Sequence, residues 1–201
     1  LGEVVNKLAA SELQELGVLS NCHVNVVQME ESVEYSNYQS ELTFLTSDKD
    51  RMKYISGLIK NIRKGGNTLV LVDRIKAGNL LLEHIDGAEF VSGEMKTTDR
   101  KDAYTEINEG TNHVVIATYG VAAVGINIPR IFNLVLLEPG KSFVRVIQSI
   151  GRGVRKAQDK DHVEIWDITS TAKFSKRHLR ERKVFYKEAN YPFTIEKVKY
   201  K

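Results

Sequence analysis

An arginine-rich segment contains the residue types and spacing best suited to phosphate chemistry. Gln148 is followed by Arg152 and Arg155 in the order Q-x-x-G-R-x-x-R. Each guanidinium group is permanently charged and can donate two parallel hydrogen bonds to phosphate oxygens, so the two arginines could stabilise charge that develops on a transferring phosphoryl group. Pairing with local carboxylates is the alternative role for an isolated R-x-x-R. The segment lies where a ligand loop is expected in an α/β protein, and this position favours phosphate chemistry.

A second fragment, Gly140-Lys141-Ser142, does not complete a phosphate loop. The pattern G-x-x-x-x-G-K-[ST] requires a glycine at position 135, which is Val135 in an apolar run. Lys141 is therefore expected either to cap a helix or to contact a backbone phosphate of nucleic acid. The sequence also contains no G-x-G-x-x-G fingerprint, which argues against an enzyme of the Rossmann type that acts on small molecules.

The charge of the chain is distributed unevenly along its length. Residues 141–201 contain 16 Lys and Arg against 7 Asp and Glu, whereas residues 1–140 contain 13 against 19. A basic C-terminal third favours a polyanionic partner, most simply nucleic acid, and a solvated basic surface is the alternative. The longest apolar run is about seven residues, far shorter than the roughly 18 that a membrane span needs. A single cysteine, Cys22, and histidines without metal-ligand spacing predict a cytoplasmic protein with no metal site and no membrane partner.

Apolar runs that alternate with amphipathic segments predict the fold. We expect an α/β domain with a doubly wound, mainly parallel sheet and helices on both faces. In such sheets, ligands bind beyond the carboxyl ends of the strands. The predicted strands are 24–29, 68–72, 89–91, 113–117, 132–137 and 163–168, and the tail is predicted to form a basic helix and an edge strand. The predicted helices include 33–45, one capped by Ser47 that ends at Gly65-Gly66, 99–108 capped by Thr98, and 142–150.

Three segments in this framework resemble the motifs of a known enzyme family. Residues 69–74, 116–129 and 148–155 resemble motifs IV, V and VI of superfamily 2 helicases, in that order. Residues 10–19 and the tail around 174–186 are similar to those of the XPB/UvsW-like group. The resemblance covers nearly the whole chain and implies the RecA-like fold of the second helicase domain.

The resemblance assigns roles at the nucleotide. Arg155 would be the arginine finger that reaches the γ-phosphate, with Arg152 beside it and Gln148 near the nucleotide or the network that couples the two sites. Gly125 and Asn127 would line the nucleotide cleft, together with the two arginines. Many relatives have aspartate where this chain has Asn127.

The resemblance and the charge pattern also assign contacts to nucleic acid. Arg74, Thr118 and Tyr119 would contact the backbone of the bound strand, and a locally satisfied hydroxyl and a solvated charge are the alternatives for Thr118 and Arg74. Further predicted contacts are Lys141, Lys176, Arg177 and Arg180.

The order of the motifs predicts the domain boundaries of the chain and which domain binds ATP. Superfamily 2 helicases have their Walker A and DExH motifs in a first RecA-like domain, and neither motif occurs in this sequence. We therefore expect a C-terminal fragment in which 1–46 links to that N-terminal domain, 47–170 is the second RecA-like domain and 171–201 is a basic helix and tail. ATP and Mg²⁺ would be bound mainly by the missing domain, so this fragment alone is predicted to be inactive.

The predicted activity is that of an ATP-dependent DNA/RNA helicase. The parent enzyme would unwind or branch-migrate R-loops, forks and junctions in recombination, repair and replication, in the cytoplasm of the bacterial host if it is a phage protein. Its partners would be single-stranded and branched DNA, RNA–DNA hybrids and the N-terminal RecA-like domain. The alternative is a non-catalytic nucleic-acid-binding module of RecA-like fold.

Overall fold

A computed structural model describes residues 22–124, 126, 130–140, 146–147 and 162–201. This part of the chain contains one sheet of seven strands and the helices that cover it. The strands are β1 (Cys22–Met29), β2 (Thr68–Val72), β3 (Glu89–Val91), β4 (Val114–Thr118), β5 (Asn133–Leu137), β6 (Val163–Ser170) and β7 (Phe193–Val198). The helices are α1 (Tyr38–Leu45), α2 (Lys49–Ile62), α3 (Ile75–His84), α4 (Thr97–Glu109), α5 (Tyr119–Ala123) and α6 (Lys173–Glu188), with a 3-10 turn at Arg63–Gly65.

The sheet confirms the predicted fold class. Its strands run in the order β3-β4-β2-β5-β6-β1-β7, and every neighbouring pair is parallel. The tail contributes β7 at one edge, beside β1, as the sequence predicted. Strands from 1–46, 47–170 and 171–201 thus lie in one sheet.

Alternating side chains divide the core between the two faces of the sheet. In β2, Leu69 and Leu71 face one hydrophobic cluster, and Val70 and Val72 face the other. Helices α4 and α6 cover the first cluster, and α2 and α3 cover the second. The central strands β2 and β5 are therefore buried on both faces, which accounts for their continuous apolar sequences. None of the described helices combines the length and apolar character needed to cross a bilayer.

Local hydrogen bonding moves two of the predicted helix starts. The helix predicted over 33–45 begins only at Tyr38, because the side chain of Asn37 accepts from the Ser40 amide at 2.9 Å and caps it there. Ser47 is not the cap of α2. Its hydroxyl donates back to α1, and Asp48 caps α2 by accepting from the Arg51 amide at 3.0 Å.

Three further element boundaries differ from the prediction. Helix α4 begins at Thr97 after Lys96, so Thr98 is not its cap. The register pairs Thr118 with Val72, which places β4 at 114–118 and not at 113–117. The pairing of Met29 with Ser170 likewise extends β6 beyond its predicted end. Of the helix predicted at 142–150, the structure describes only 146–147, which are helical.

Candidate nucleotide and nucleic-acid site at the carboxyl edge

The predicted site residues that the structure describes lie along one edge of the sheet. Because all strands are parallel, their carboxyl ends meet at this edge. Thr118 ends β4, Arg74 follows the neighbouring β2, and α6 begins three residues after the end of β6. The strand order therefore places a motif V residue, a motif IV residue and the basic helix in sequence along the edge.

Contacts with neighbouring side chains fix the orientation of the Arg74 guanidinium. It precedes the first residue of α3, and about one third of its side chain is exposed. Its guanidinium donates to Oε1 of Gln39 at 3.0 Å and to the hydroxyl of Thr43, both on α1, and lies 3.4 Å from the Asp73 carboxylate. A guanidinium has five N–H donors, so these contacts orient the group without using all of its capacity to bind an anion.

Thr118 and Tyr119 use their hydroxyls in different ways. Oγ1 of Thr118 accepts from the Val121 amide at 3.3 Å and caps α5, which leaves the hydroxyl proton available to an acceptor such as phosphate. The hydroxyl of Tyr119 donates inward, to the Leu137 carbonyl at 2.8 Å. Burial raises the pKa of the Tyr119 phenol well above its ordinary value, so the phenol stays protonated.

The first half of α6 presents four exposed cations, which we call the α6 basic cluster. They border a groove of about 460 Å³ whose other wall includes residues 31–34. Arg177 and Lys173 lie 5.4 Å and 5.3 Å from the ring of Phe174, so the aromatic face holds the cations in place. The members of the α6 basic cluster are Lys173, Lys176, Arg177 and Arg180.

A carboxylate of the protein itself occupies the start of α6. Glu41 of α1 is 1% exposed and accepts from the amides of Phe174 at 3.0 Å and Ser175 at 2.9 Å. Ala172, which precedes the helix, has no side chain that can cap it. The unpaired amides of the helix start are therefore satisfied by Glu41, and a phosphate would contact the side chains of the basic cluster and not these amides.

A buried polar cluster joins α2, β5 and α6 at the same edge. Nη2 of Arg51 donates to the Glu138 carboxylate at 2.9 Å, and the Ser175 hydroxyl donates to its other oxygen at 2.8 Å. Nε of Arg51 also donates to Glu31 at 3.1 Å. Burial raises the pKa of Glu138 above its ordinary value, although Arg51 and Ser175 oppose the shift.

A second buried pair lies on the other face of the sheet. Arg182 of α6 donates to both oxygens of Asp167 in β6, at 2.8 Å and 2.9 Å, and to the Pro139 carbonyl at 2.6 Å. The hydroxyl of Tyr186 donates to the same carboxylate at 2.6 Å. Burial alone would lower the pKa of Arg182, but Asp167 raises it overall, and the guanidinium stays charged.

The sequence did not predict these buried groups. Arg51 is 0% exposed although it lies beside the apolar face of α2, and its partner Glu138 is 87 residues away. Glu41 is separated from its partner on α6 by 134 residues. The one available signal was the polar Glu138 directly after a buried strand, at the edge where ligands were expected.

Six predicted residues lie outside the part of the chain that the structure describes. Their proposed roles rest on the sequence motifs. They are Gly125, Asn127, Lys141, Gln148, Arg152 and Arg155. Within the described ranges, no group of three or more His, Cys, Asp or Glu side chains could hold a metal ion.

Comparison with known proteins assigns the family. The family model "Helicase conserved C-terminal domain" matches residues 50–157, which is more than half of the chain. The chain belongs to this family. As a helicase C-terminal domain, it is 28% identical over 195 residues to the ATP-dependent DNA helicase UvsW of Enterobacteria phage T4, a match that covers 92% of this chain and 39% of UvsW.

Solved structures confirm the fold of this helicase C-terminal domain. The crystal structure of T4 UvsW matches it with a TM-score of 0.76 at 22% identity, over 90% of this chain and 42% of that one. S. cerevisiae Dbp5 bound to RNA and ADP BeF3 matches with a TM-score of 0.57 at 18% identity, over 93% of this chain and 44% of that one. The predicted resemblance to UvsW is confirmed, and the chain spans about two fifths of the UvsW length.

Proposed function

We propose that this chain is the C-terminal RecA-like half of an ATP-dependent helicase that acts on nucleic acid. One observation carries the proposal: the motif residues Thr118 and Arg74 lie at the ends of neighbouring strands, on the same edge as the α6 basic cluster. The match to a helicase family and the cationic edge of the sheet together support a nucleic-acid strand bound along the carboxyl ends of β4, β2 and β6.

The strand contacts would act mainly on the backbone. Thr118 would donate its hydroxyl proton to a phosphate oxygen, and Arg74 would use guanidinium donors that face away from α1. The α6 basic cluster would extend this path and bind phosphates without regard to sequence. The proposed substrates are single-stranded or branched DNA and RNA–DNA hybrids, as the resemblance to superfamily 2 helicases implies.

The nucleotide contacts would come from the motif V and motif VI segments. Arg155 would donate to the γ-phosphate and stabilise charge in the transition state, with Arg152 and Gln148 beside it and with Gly125 and Asn127 at the cleft. ATP and Mg²⁺ would be held mainly by an N-terminal RecA-like domain of the same protein. Cycles of closure between the two domains would move them along the strand.

We place the parent enzyme in recombination, repair and replication, where it would unwind or branch-migrate R-loops, forks and junctions. This role, a phage origin and a location in the host cytoplasm rest on the resemblance to UvsW. A non-catalytic nucleic-acid-binding module is the second candidate, because the exposed α6 basic cluster would serve such a module equally well.

Steady-state ATP hydrolysis by the full-length protein tests the proposal. Loss of an arginine finger commonly lowers the rate by about 10³- to 10⁵-fold. Arg155→Ala and Arg155→Lys should therefore both lose most hydrolysis, because lysine lacks the planar fork, while the affinity for ATP changes far less. Binding of nucleic acid without nucleotide should stay near the wild-type level.

Two further variants make this experiment decisive. Lys141→Ala should weaken binding of nucleic acid but keep the rate at saturating nucleic acid, and Lys60→Ala, an exposed change on α2, should alter neither. If Lys141→Ala abolishes hydrolysis and Arg155→Ala does not, the proposed location of the nucleotide site is wrong. A wild-type protein that binds nucleic acid and hydrolyses no ATP would support the non-catalytic module.

A further inference from the structure

Three consecutive residues at the end of β5 are each held by a side chain from a different part of the fold. The Leu137 carbonyl, the Glu138 carboxylate and the Pro139 carbonyl all accept hydrogen bonds of 2.6 to 2.9 Å. We call this arrangement the β5 clamp. The side chains that hold it are Tyr119 of α5, Arg51 of α2, and Ser175 and Arg182 of α6.

The middle residue of the clamp has an unusual backbone conformation. Glu138 has a φ of 45°, in the left-handed region that residues other than glycine rarely adopt. Its amide donates to the Ile168 carbonyl at 2.9 Å, and its side chain is 5% exposed. A non-glycine residue keeps such a conformation only where its surroundings enforce it, and such residues cluster at active sites, ligand clamps and switch regions.

Along the sequence, the clamp lies between the segments of the two proposed sites. On one side, Tyr119 follows Thr118 directly, so the hydroxyl that holds Leu137 comes from the segment of the proposed strand contact. On the other side, the chain continues from Pro139 toward Gln148 and Arg155. The inward direction of the Tyr119 hydroxyl, which donates to a protein carbonyl, also makes it a poor contact for a phosphate.

From this geometry we infer that Tyr119 and Glu138 are positioning residues, which fix the direction in which the chain leaves β5, and that the rate of ATP hydrolysis depends on this direction. This inference rests on the proposed function. Tyr119 acts through the Leu137 carbonyl and not on the strand, and Glu138 acts through its pairing with Arg51.

Tyr119→Phe in the full-length protein is the sharpest test, because it removes one oxygen atom and leaves the ring in place. We expect kcat for ATP hydrolysis at saturating nucleic acid to fall by about 10- to 100-fold, the loss that a small misplacement of catalytic groups causes. The KM for ATP and the affinity for a single-stranded oligonucleotide should stay within about twofold of wild type. Glu138→Gln, which keeps the length of the side chain, should give the same split.

Two controls separate positioning from stability. Tyr191→Phe makes the same chemical change at a buried hydroxyl for which the described residues provide no hydrogen-bond partner. Ile59→Val lowers stability in the core under α2, away from the clamp. Both should keep wild-type kcat below their melting temperatures.

Hydrogen exchange provides a readout that does not depend on activity. In Tyr119→Phe, peptides that contain Glu138 and Gly140 should exchange faster, while those from β2 and β6 should not. The inference is overturned if exchange and kcat of Tyr119→Phe match those of the controls, or if the variant loses affinity for the oligonucleotide at unchanged kcat. If Arg155→Ala leaves hydrolysis intact, the proposed function fails, and the exchange data still decide whether the clamp exists.

Discussion

Removal of three charges from the α6 basic cluster should change the salt dependence of nucleic-acid binding by a calculable amount. Lys176, Arg177 and Arg180 are exposed on the same helix, and none of them makes an ion pair within the described part of the chain. Their charges are therefore available to phosphates. The perturbation is the triple change of these residues to alanine.

The expected magnitude follows from counterion release. Each phosphate contact with a single strand contributes about 0.7 to the slope of log K against log salt concentration, so three contacts contribute about 2. Between 50 and 200 mM salt, the wild-type protein should therefore lose roughly 20-fold more affinity than the triple variant. Glu31 in the opposite wall of the groove does not cancel this effect, since it is paired with Arg51 at 3.1 Å.

Fluorescence anisotropy with a labelled single-stranded oligonucleotide, measured at several salt concentrations, gives both slopes. A charge-matched control removes three exposed lysines from α2 and the turn after it, on the other face of the sheet: Lys53, Lys60 and Lys64. The control should keep the wild-type slope. Equal slopes for wild type and the α6 variant, or an equal decrease in the control, would refute a strand path along α6.

Two further predictions concern the groups that shape the site. Glu41→Ala leaves the buried Ser175 amide and the part-buried Phe174 amide of α6 without an acceptor. At about 1–3 kcal/mol for a buried unpaired amide, it should lower the free energy of unfolding by at least about 1–3 kcal/mol in urea titrations. Glu83→Ala, at an exposed position of α3, should change this free energy little, and an equal effect of both variants would contradict the capping role. Burial raises the pKa of Cys22 from 9.0 to about 12. At pH 8, the thiolate fraction of Cys22 and its rate of reaction with a thiol reagent should therefore be about a thousandfold lower in the native chain than in the unfolded chain, and a native rate equal to the unfolded rate would contradict this. Because the unfolded chain loses this proton first, the free energy of unfolding should fall as the pH rises above about 9.

Local sequence determined most of the secondary structure and the fold class. Continuous apolar runs such as 68–72 predicted strands buried on both faces, and the structure places β2 in the centre of a parallel sheet. This works because burial on both faces excludes polar residues from the whole run, whatever the rest of the chain does. The order of the helicase motifs was equally visible, since each motif is a short contiguous segment.

Tertiary structure decided the helix starts and the partners of the buried charges. The sequence assigned Ser47 as a cap, but the side chain that reaches a free amide is that of Asp48, and the choice between such neighbours depends on backbone direction. The pairing of Arg51 with Glu138, like that of Arg182 with Asp167, depends on which strands become neighbours.

The direction of a side chain was likewise beyond the sequence. Tyr119 belongs to a motif that predicts contact with nucleic acid, yet its hydroxyl donates to the end of β5. The motif determines that Tyr119 follows a strand at the ligand edge. The hydroxyl faces the interior because β5 lies beyond β2 in the sheet and brings the Leu137 carbonyl within reach of Tyr119. These two residues are 18 positions apart in the sequence, so their contact depends on the strand order.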